Sequence, residues 1–509
     1  MKFFILIVAF ILSALYSFSQ EPSDALRYSW YSQGGTARQQ AIGGAMGSLG
    51  GEISSSFVNP AGLGFYRTGD FVITPGFNFQ SNKSSYFGTS TKDKKNYFDL
   101  GTTGFVIDGG SNGKRSSAFS IAINRTTNFG GNVLYRGENN QSSYSQKFLE
   151  EIRNNNVKDP NVVAQNYPFG TSLAFNTYWI DTVNGGSAGN YQFQTRAPIG
   201  TGLLQQNNIE SSGGITELTF AGASNYNNKL LIGFALGVPI LHYKRESTFI
   251  EADATDNPNN NFDFASIGES LTTKGVGLNL KAGVIYKPAE SIRLGLAIHS
   301  PTYYTLTDKY DASVTTNTES YQGMLTQKAS DLVATPGEFK YYLFTPYRII
   351  GSGSYVIHEV QDVTKQKGFI TADIEYVHYK FSSFATQADN SDQASDDYLK
   401  SVNKAIDKAY KGALNFRVGG ELKFTTVMGR LGFGYYGNPY QNINGAKGNR
   451  LQFSGGLGYR NKGMFLDLTY VYTMTKDINV PYALQYSPFP IAKIKGSGSS
   501  ILLTLGFKI

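Results

Sequence analysis

Across 230–240 every even position carries a large apolar side chain: Leu230, Ile232, Phe234, Leu236, Val238 and Ile240. The same parity returns in Val276, Leu278, Leu280, Ala282, Val284 and Tyr286. A period of two describes one face of an extended strand, not one face of a helix. An apolar run over 3–15 follows Lys2. No other stretch approaches the ~18 continuous apolar residues of a membrane-crossing helix. A chain of this kind crosses a membrane only as a closed β-barrel, because hydrocarbon offers no partner to unpaired backbone groups.

The alternation recurs along most of the chain. Odd positions are apolar in Phe71, Ile73, Phe77 and Phe79, in Phe119, Ile121 and Ile123, and in Ile501, Leu503, Leu505 and Phe507. Even positions are apolar in Leu294, Leu296 and Ile298 and in Leu414, Phe416, Val418, Leu422 and Phe424. The pattern predicts fourteen strands, near 69–80, 97–109, 116–128, 213–226, 229–252, 271–287, 291–312, 336–359, 368–384, 411–425, 428–438, 449–460, 463–476 and 499–509. Tight turns such as Asn227-Asn228, Thr426-Val427 and Asn461-Lys462 alternate with long segments over 81–96, 129–212, 253–270, 313–335, 385–410, 439–448 and 477–498. Short turns at one rim and long loops at the other describe an outer-membrane barrel, and an even strand number puts both barrel ends on the periplasmic side. A soluble β-sandwich does not account for that alternation of loop lengths.

Composition agrees. There are 34 Tyr, 35 Phe and 57 Gly, with only 16% charged residues, as strands with lipid on one face and water on the other require. The absence of cysteine excludes disulfides, thiolate chemistry, cysteine-held metals and anchoring through an acylated cysteine. A scattered net charge of +7 over 509 residues argues against nucleic acid as a partner. Residues 1–20 read as a secretory signal, with cleavage expected after Ser19 or Gln20. Residues 21–33 read as a short polar lead.

The stretch 34–67 does not alternate. It is glycine-rich, and at its centre stands Phe57-Val58-Asn59-Pro60-Ala61-Gly62-Leu63-Gly64-Phe65. Pro60 fixes its own φ and drives Asn59 out of the helical region. Asn59 is suited to bonding backbone groups that no strand ladder satisfies. A soft segment of this length before a long series of strands reads as a plug.

Parity opposite to the lipid-facing residues defines the lumen, and it holds Glu217, Lys281, Arg293, Asp373, Glu375, Arg417, Glu421, Lys423, Arg430, Arg460 and Asp467. The same charges facing lipid would cost ~2–4 kcal/mol each at mid-membrane. Pairing 368–384 with 411–425 is expected to bring Glu375 level with Arg417, and Asp373 near Glu421 and Lys423. Two roles stay open: an ion network bracing barrel and plug, or cations meeting a substrate carboxylate. Two long loops carry helical patterns, Ser145–Ile152 and Tyr398–Tyr410, and suggest an external lid.

His242, His299, His358 and His378 fall on separate strands, so no haem or metal centre is expected. Asp253, Asp256 and Asp263, and Asp389, Asp392, Asp396 and Asp397, are the candidates for Ca²⁺, but their spacing matches no EF-hand loop. Asp108 to Lys114 lacks phosphate-loop spacing and reads as a hairpin turn. No Ser/His/Asp arrangement can be assembled. The expectation is therefore no catalytic residue, no metal, no cofactor and no enzyme activity.

At Asn59-Pro60-Ala61-Gly62-Leu63 the chain resembles the FadL/TodX family of outer-membrane transport proteins, and 41–50 resembles that family's lead into its Asn-Pro-Ala motif. The resemblance extends to Phe220–Tyr226, His299-Ser300-Pro301, Thr345–Arg348 and Asp373–Tyr376. It implies an all-β fold: a 14-stranded antiparallel transmembrane β-barrel with an N-terminal hatch inside the lumen. The corresponding division is a signal peptide at 1–20, a hatch at 21–68 and a barrel at 69–509 with long external loops, notably 129–212 and 385–410.

It also implies an outer-membrane channel for passive uptake of hydrophobic small molecules, long-chain fatty acids or similar, with Asn59, Pro60, Ala61 and Gly62 forming the gate. Met46, Leu49, Phe57, Leu63 and Phe65 are candidate pocket residues, although packing against the wall fits them equally. Lys281, Arg293, Asp373, Glu375, Arg417, Glu421 and Arg430 are the candidate lumenal charges. The expected partners are outer-membrane lipids and a hydrophobic substrate, around a monomeric barrel. The alternative is a FadL-like barrel that binds partners in a secretion or surface-attachment machinery.

Overall fold

The computed structural model describes residues 22–30, 34–112, 114–183, 190–334, 337–357, 367–387, 392–441 and 447–509. The expected signal segment, His358 and Asp389 lie outside the described residues.

Fourteen antiparallel strands close into a barrel. They are β1 (Asp70–Ile73 and Pro75–Tyr86), β2 (Thr89–Leu100 and Thr103–Ser111), β3 (Arg115–Asn128 and Gly131–Asn139), β4 (Leu203–Tyr226), β5 (Leu230–Asp253), β6 (Phe264–Ala289) and β7 (Ile292–His299 and Tyr303–Asn317). The second half comprises β8 (Gly337–Phe344 and Arg348–Ile357), β9 (Gly368–His378 and Ser383–Thr386), β10 (Gly412–Phe424), β11 (Val427–Tyr436), β12 (Arg450–Asn461), β13 (Met464–Asn479) and β14 (Ala492–Lys508). β14 pairs with both segments of β1, which closes the ring. Each strand matches one of the fourteen expected from the alternation.

The strands are longer than expected. The segment 81–96 is not a loop: Ser85 pairs with Ser90 and the hairpin turns at 87–88. β4, β5 and β6 run for 24, 24 and 26 residues, whereas a tilted membrane crossing takes ~9–11. The outward faces show why. On β5 they are apolar from Leu230 to Ile240, then change to His242, Lys244 and Glu246, all exposed. On β6 the apolar face ends at Val276, and Lys274 and Thr272 follow outward. Beyond that boundary the strands stand in water, and the apolar side chains, Phe249, Ile267 and Leu271, point inward. Period-2 hydrophobicity thus fades where the solvent on the outer face changes from lipid to water.

The β2–β3 ladder is interrupted. Residues 104–108 of β2 pair with 118–122 of β3, but the outer segment Gly131–Asn139 pairs with β4 alone. That segment lies against the hairpin of β1 and β2, with Asn82 donating to the Asn132 carbonyl at 2.6 Å.

Candidate functional site

Inside the barrel, residues 34–66 lie across the lumen near the end with the short turns. Thr36 caps the short helix Ala37–Ala41 by accepting from the Gln39 N–H. Asn59 is extended, with φ −142° and ψ 99°, and caps the 3₁₀ turn Pro60–Phe65. Its Oδ1 accepts from the Ala61 N–H at 3.1 Å, and its Nδ2 donates to the Gly47 and Val284 carbonyls at 2.6 and 3.3 Å. Asn59 therefore ties two turns of the segment to each other and to β6.

The wall is shaped to receive this segment. Gly233, Gly283, Gly295, Gly419, Gly432 and Gly456 face inward from six strands, and a Cβ on any of them would overlap Pro60, Asn59, Gly47, Ile42, Gly43 or Ala41 respectively. Gly233 stands directly opposite Gly283, and Gly419 directly opposite Gly432. Strand ladder and plug backbone thus approach more closely than any side chain would allow. Elsewhere the segment is held by hydroxyl pairs, Ser56 with Ser120 at 2.7 Å and Ser48 with Ser352 at 2.8 Å, and by Thr469 donating to the Ala37 carbonyl at 2.6 Å.

The charges expected in the lumen are buried there, except Lys423 and Arg460, which are half-buried. Arg417 bonds Glu375 at 2.7 Å and lies 3.5 Å from Asp373, while Asp373 accepts from the Gly47 N–H at 3.2 Å. Arg430 joins Glu421 at 2.6 Å to Asp467 at 2.5 Å, and Arg38 reaches the same Glu421 at 3.3 Å. Lys281 pairs with Glu217, and Arg293 donates to the Leu49 carbonyl at 2.5 Å. His299 Nε2 donates to the Val58 carbonyl at 2.8 Å. The expectation for Asp373 is corrected: it stands opposite Arg417, whereas Glu421 is four residues further along β10, opposite Phe369. Strand register decides this, and parity carries no register. Both networks reach the plug through Gly47 and Arg38.

The five candidate pocket residues do not converge. Met46 and Leu49 pack with Ala297, Ile350 and Phe369; Phe57 and Leu63 pack with Val72, Val106 and Ala221; Phe65 rests against the group formed by Ala61, Leu231 and Ile285. Their burial is spread around the wall because the segment touches strands on all sides of the lumen.

The aromatic layer lies further out, and the sequence reading missed it. Tyr243 on β5 is ten residues beyond Gly233, on the order of 25 Å outward for a tilted strand. Phe129, Tyr243, Tyr304, Phe339, Tyr341 and Phe384 form a buried cluster there. Inside it sits the helix Pro22–Ser29, where a short polar lead is expected from the sequence. Ala25, Leu26, Tyr28 and Trp30 are buried in the cluster. Tyr28 donates to Thr273 at 3.0 Å, Arg348 donates to the Ser29 carbonyl at 3.0 Å, and the Arg450 guanidinium lies 3.6 Å from the centre of the Trp30 ring. The helix Gln393–Ala409, capped by Asp392, covers this layer with Leu399, Val402 and Ile406.

A cap from the 129–212 region packs against the outer ends of β5, β6 and β7. Its helix Ser145–Asn154 begins at Tyr144, whose side chain makes no cap, and the Ser145 N–H donates to the Ser143 hydroxyl at 3.1 Å. Tyr144, Phe148, Trp179, Phe249 and Tyr482 form its core. Glu251, fully buried beyond the membrane band, accepts from Trp179 Nε1, Gln205 Nε2 and the Tyr144 N–H at 2.9–3.1 Å, and from the Ser143 hydroxyl. Burial raises its carboxyl above the ordinary range. An acidic residue of lumenal parity at the outer end of a strand was the available sequence signal. Among the described residues no group of three metal-ligating side chains forms. Asp253 accepts from Thr255, Asn257 and Asn260, Asp392 from the Ser395 N–H, and Asp397 from Gln393.

A *Pseudomonas aeruginosa* FadL homologue superposes with a TM-score of 0.54 at 12% identity, covering 94% of this chain and 99% of that one. The chain has the FadL/TodX fold. The *Pseudomonas putida* toluene transporter TodX matches with a TM-score of 0.52 at 12% identity, over 94% of this chain and 99% of its own. No family model matches the sequence, and no curated protein matches it. The inner segment 34–66 thus lies inside a barrel of the FadL/TodX fold.

Proposed function

We propose that this chain is an outer-membrane channel for passive uptake of hydrophobic small molecules, long-chain fatty acids or amphiphiles of similar size, with the segment 34–66 as its hatch. The observation that carries this reading is the aromatic layer between cap and hatch, which encloses a short amphipathic helix of the chain itself through Ala25, Leu26 and Tyr28. An eight-residue helix is marginal in water by itself, so the layer is a site already shaped for an apolar guest with few polar anchors. Pro22–Ser29 holds the place of that guest. Asn59, Pro60, Ala61 and Gly62 form the gate, and the lumenal charges brace it. The interrupted β2–β3 ladder supports release sideways into the membrane. One chain closes its own barrel, which fits a monomer surrounded by outer-membrane lipids.

The test is lipid extraction of gently solubilised protein together with uptake of labelled oleate into vesicles that carry it. Co-extracted amphiphile and saturable uptake are expected. Empty protein that also fails to take up oleate would overturn the reading. Deleting residues 34–66 is expected to raise general permeability.

The capped mouth favours a second reading, a partner-binding component of a secretion or surface-attachment machinery. Stoichiometric co-purification of a large partner, lost when 140–200 is removed, would support it over transport.

A further inference from the structure

β13, β14, β1 and β2 lie side by side across the seam where the barrel closes. Lys476 stands directly opposite Lys495, Lys495 opposite Lys83, and Lys83 opposite Lys92. All four are exposed on the outward face, as are Lys94 and Lys493 beside them. The same face carries Tyr470, Ile501, Phe77 and Phe98, paired in one row six residues nearer the periplasm and likewise exposed. The lysines therefore form a second row, at the level where the apolar band gives way to headgroups on the external side.

Directly opposite like charges, with Cβ atoms about 4.5–5.5 Å apart, destabilise a sheet. Here three such pairs follow one another. Among the described residues none of the six lysines pairs with a carboxylate. The neighbouring acids have inward parity: Asp477 accepts from Tyr440, and Asp93 from the Lys94 N–H. On the other side of the barrel Lys244 pairs with Glu246 at 2.5 Å and Lys309 with Glu338 at 3.2 Å. In the seam patch, by contrast, the lysines stand directly opposite one another.

We propose that this row binds the phosphate groups of an anionic lipid in the external leaflet, whose acyl chains lie against Phe77, Phe98, Ile501 and Tyr470. The inference rests on the outer-membrane reading, which sets the depth and side of the row. Phosphates spaced along a leaflet meet lysines spaced along adjacent strands, and the lipid supplies the countercharge that the protein lacks.

The test is native mass spectrometry of the detergent-solubilised full chain, titrated with bis-phosphorylated lipid A, the same lipid without phosphates, and inorganic phosphate. The phosphorylated lipid is expected to bind selectively. Lys83→Gln/Lys495→Gln should weaken it roughly twenty-five-fold, at about five-fold per lysine, while Lys244→Gln/Lys274→Gln should not. Without lipid, the first variant should melt at a higher temperature than the parent because repulsion is relieved, and it should lose the stabilisation that lipid adds. Equal binding of both lipids, inorganic phosphate competing as strongly as the lipid, or an unaffected Lys83→Gln/Lys495→Gln variant would overturn the proposal. Failure here leaves oleate uptake untouched, whereas failure of the transport reading leaves lipid A selectivity untouched.

Discussion

Asn59 in the hatch and Gly283 on β6 meet side chain to backbone, and a methyl group at Gly283 would overlap the Asn59 side-chain oxygen. The same amide holds Gly47 and Ala61, so one contact seats the hatch and fixes its internal turns. Gly283→Ala is expected to unseat the hatch at a cost of about 1–3 kcal/mol, as for overpacking. Asn59→Ala leaves a buried carbonyl and N–H without their partner, also about 1–3 kcal/mol. Hydrogen exchange should speed up in 41–66 in both variants while the barrel strands keep their protection. Unchanged exchange in 41–66 would argue that the contact does not hold the hatch.

Arg417 is the common cation of Asp373 and Glu375. Arg417→Leu strands two buried carboxylates, at a cost of about 3–5 kcal/mol. Adding Asp373→Asn and Glu375→Gln should restore much of the loss. Urea unfolding in lipid reads both effects, and equal stability of the single and triple variants would contradict the assignment.

The cap is expected to respond to pH through Glu251. Its folded carboxyl is raised by burial, so the folded cap holds a proton at pH values where the unfolded chain has released it. That contribution is complete below the ordinary glutamate value of ~4.3 and is lost as pH rises through the folded value. In a Trp30→Phe background, Trp179 alone reports the cap. Its emission should shift to longer wavelength on raising pH from 4 to 7, and Glu251→Gln should abolish the shift.

Pro22–Ser29 competes with the proposed guest. Deleting 22–30 should increase binding of a hydrophobic naphthylamine dye several-fold, because the helix no longer has to be displaced. In Trp179→Phe protein, oleate should release Trp30 from Arg450 and change its emission. Unaltered dye binding after the deletion would argue that the helix is a permanent part of the core.

The candidate site was legible in unequal parts. Lumenal placement of Arg417, Glu421 and Arg430 followed from parity, because a charge on the lipid face is costly. Asn59 and Pro60 were legible through local backbone chemistry, which their neighbours in sequence impose. The aromatic layer was not: Tyr243, Tyr304 and Tyr341 lie beyond the membrane band, where the outward face is polar and alternation loses contrast. Pro22–Ser29 carries too few residues to signal the surface it buries.

By itself the sequence determined that this chain is a barrel of fourteen strands, which strand face meets lipid and where the alternation stops, since each depends on the solvent met by successive side chains. Only the tertiary structure decided which residues meet across strands and through the lumen. Asp373 faces Arg417 because of register, Gly283 admits Asn59 because the hatch lies at that height, and four lysines stand in a row because β14 closes on β1. Those relations join residues hundreds of positions apart, and no local pattern encodes them.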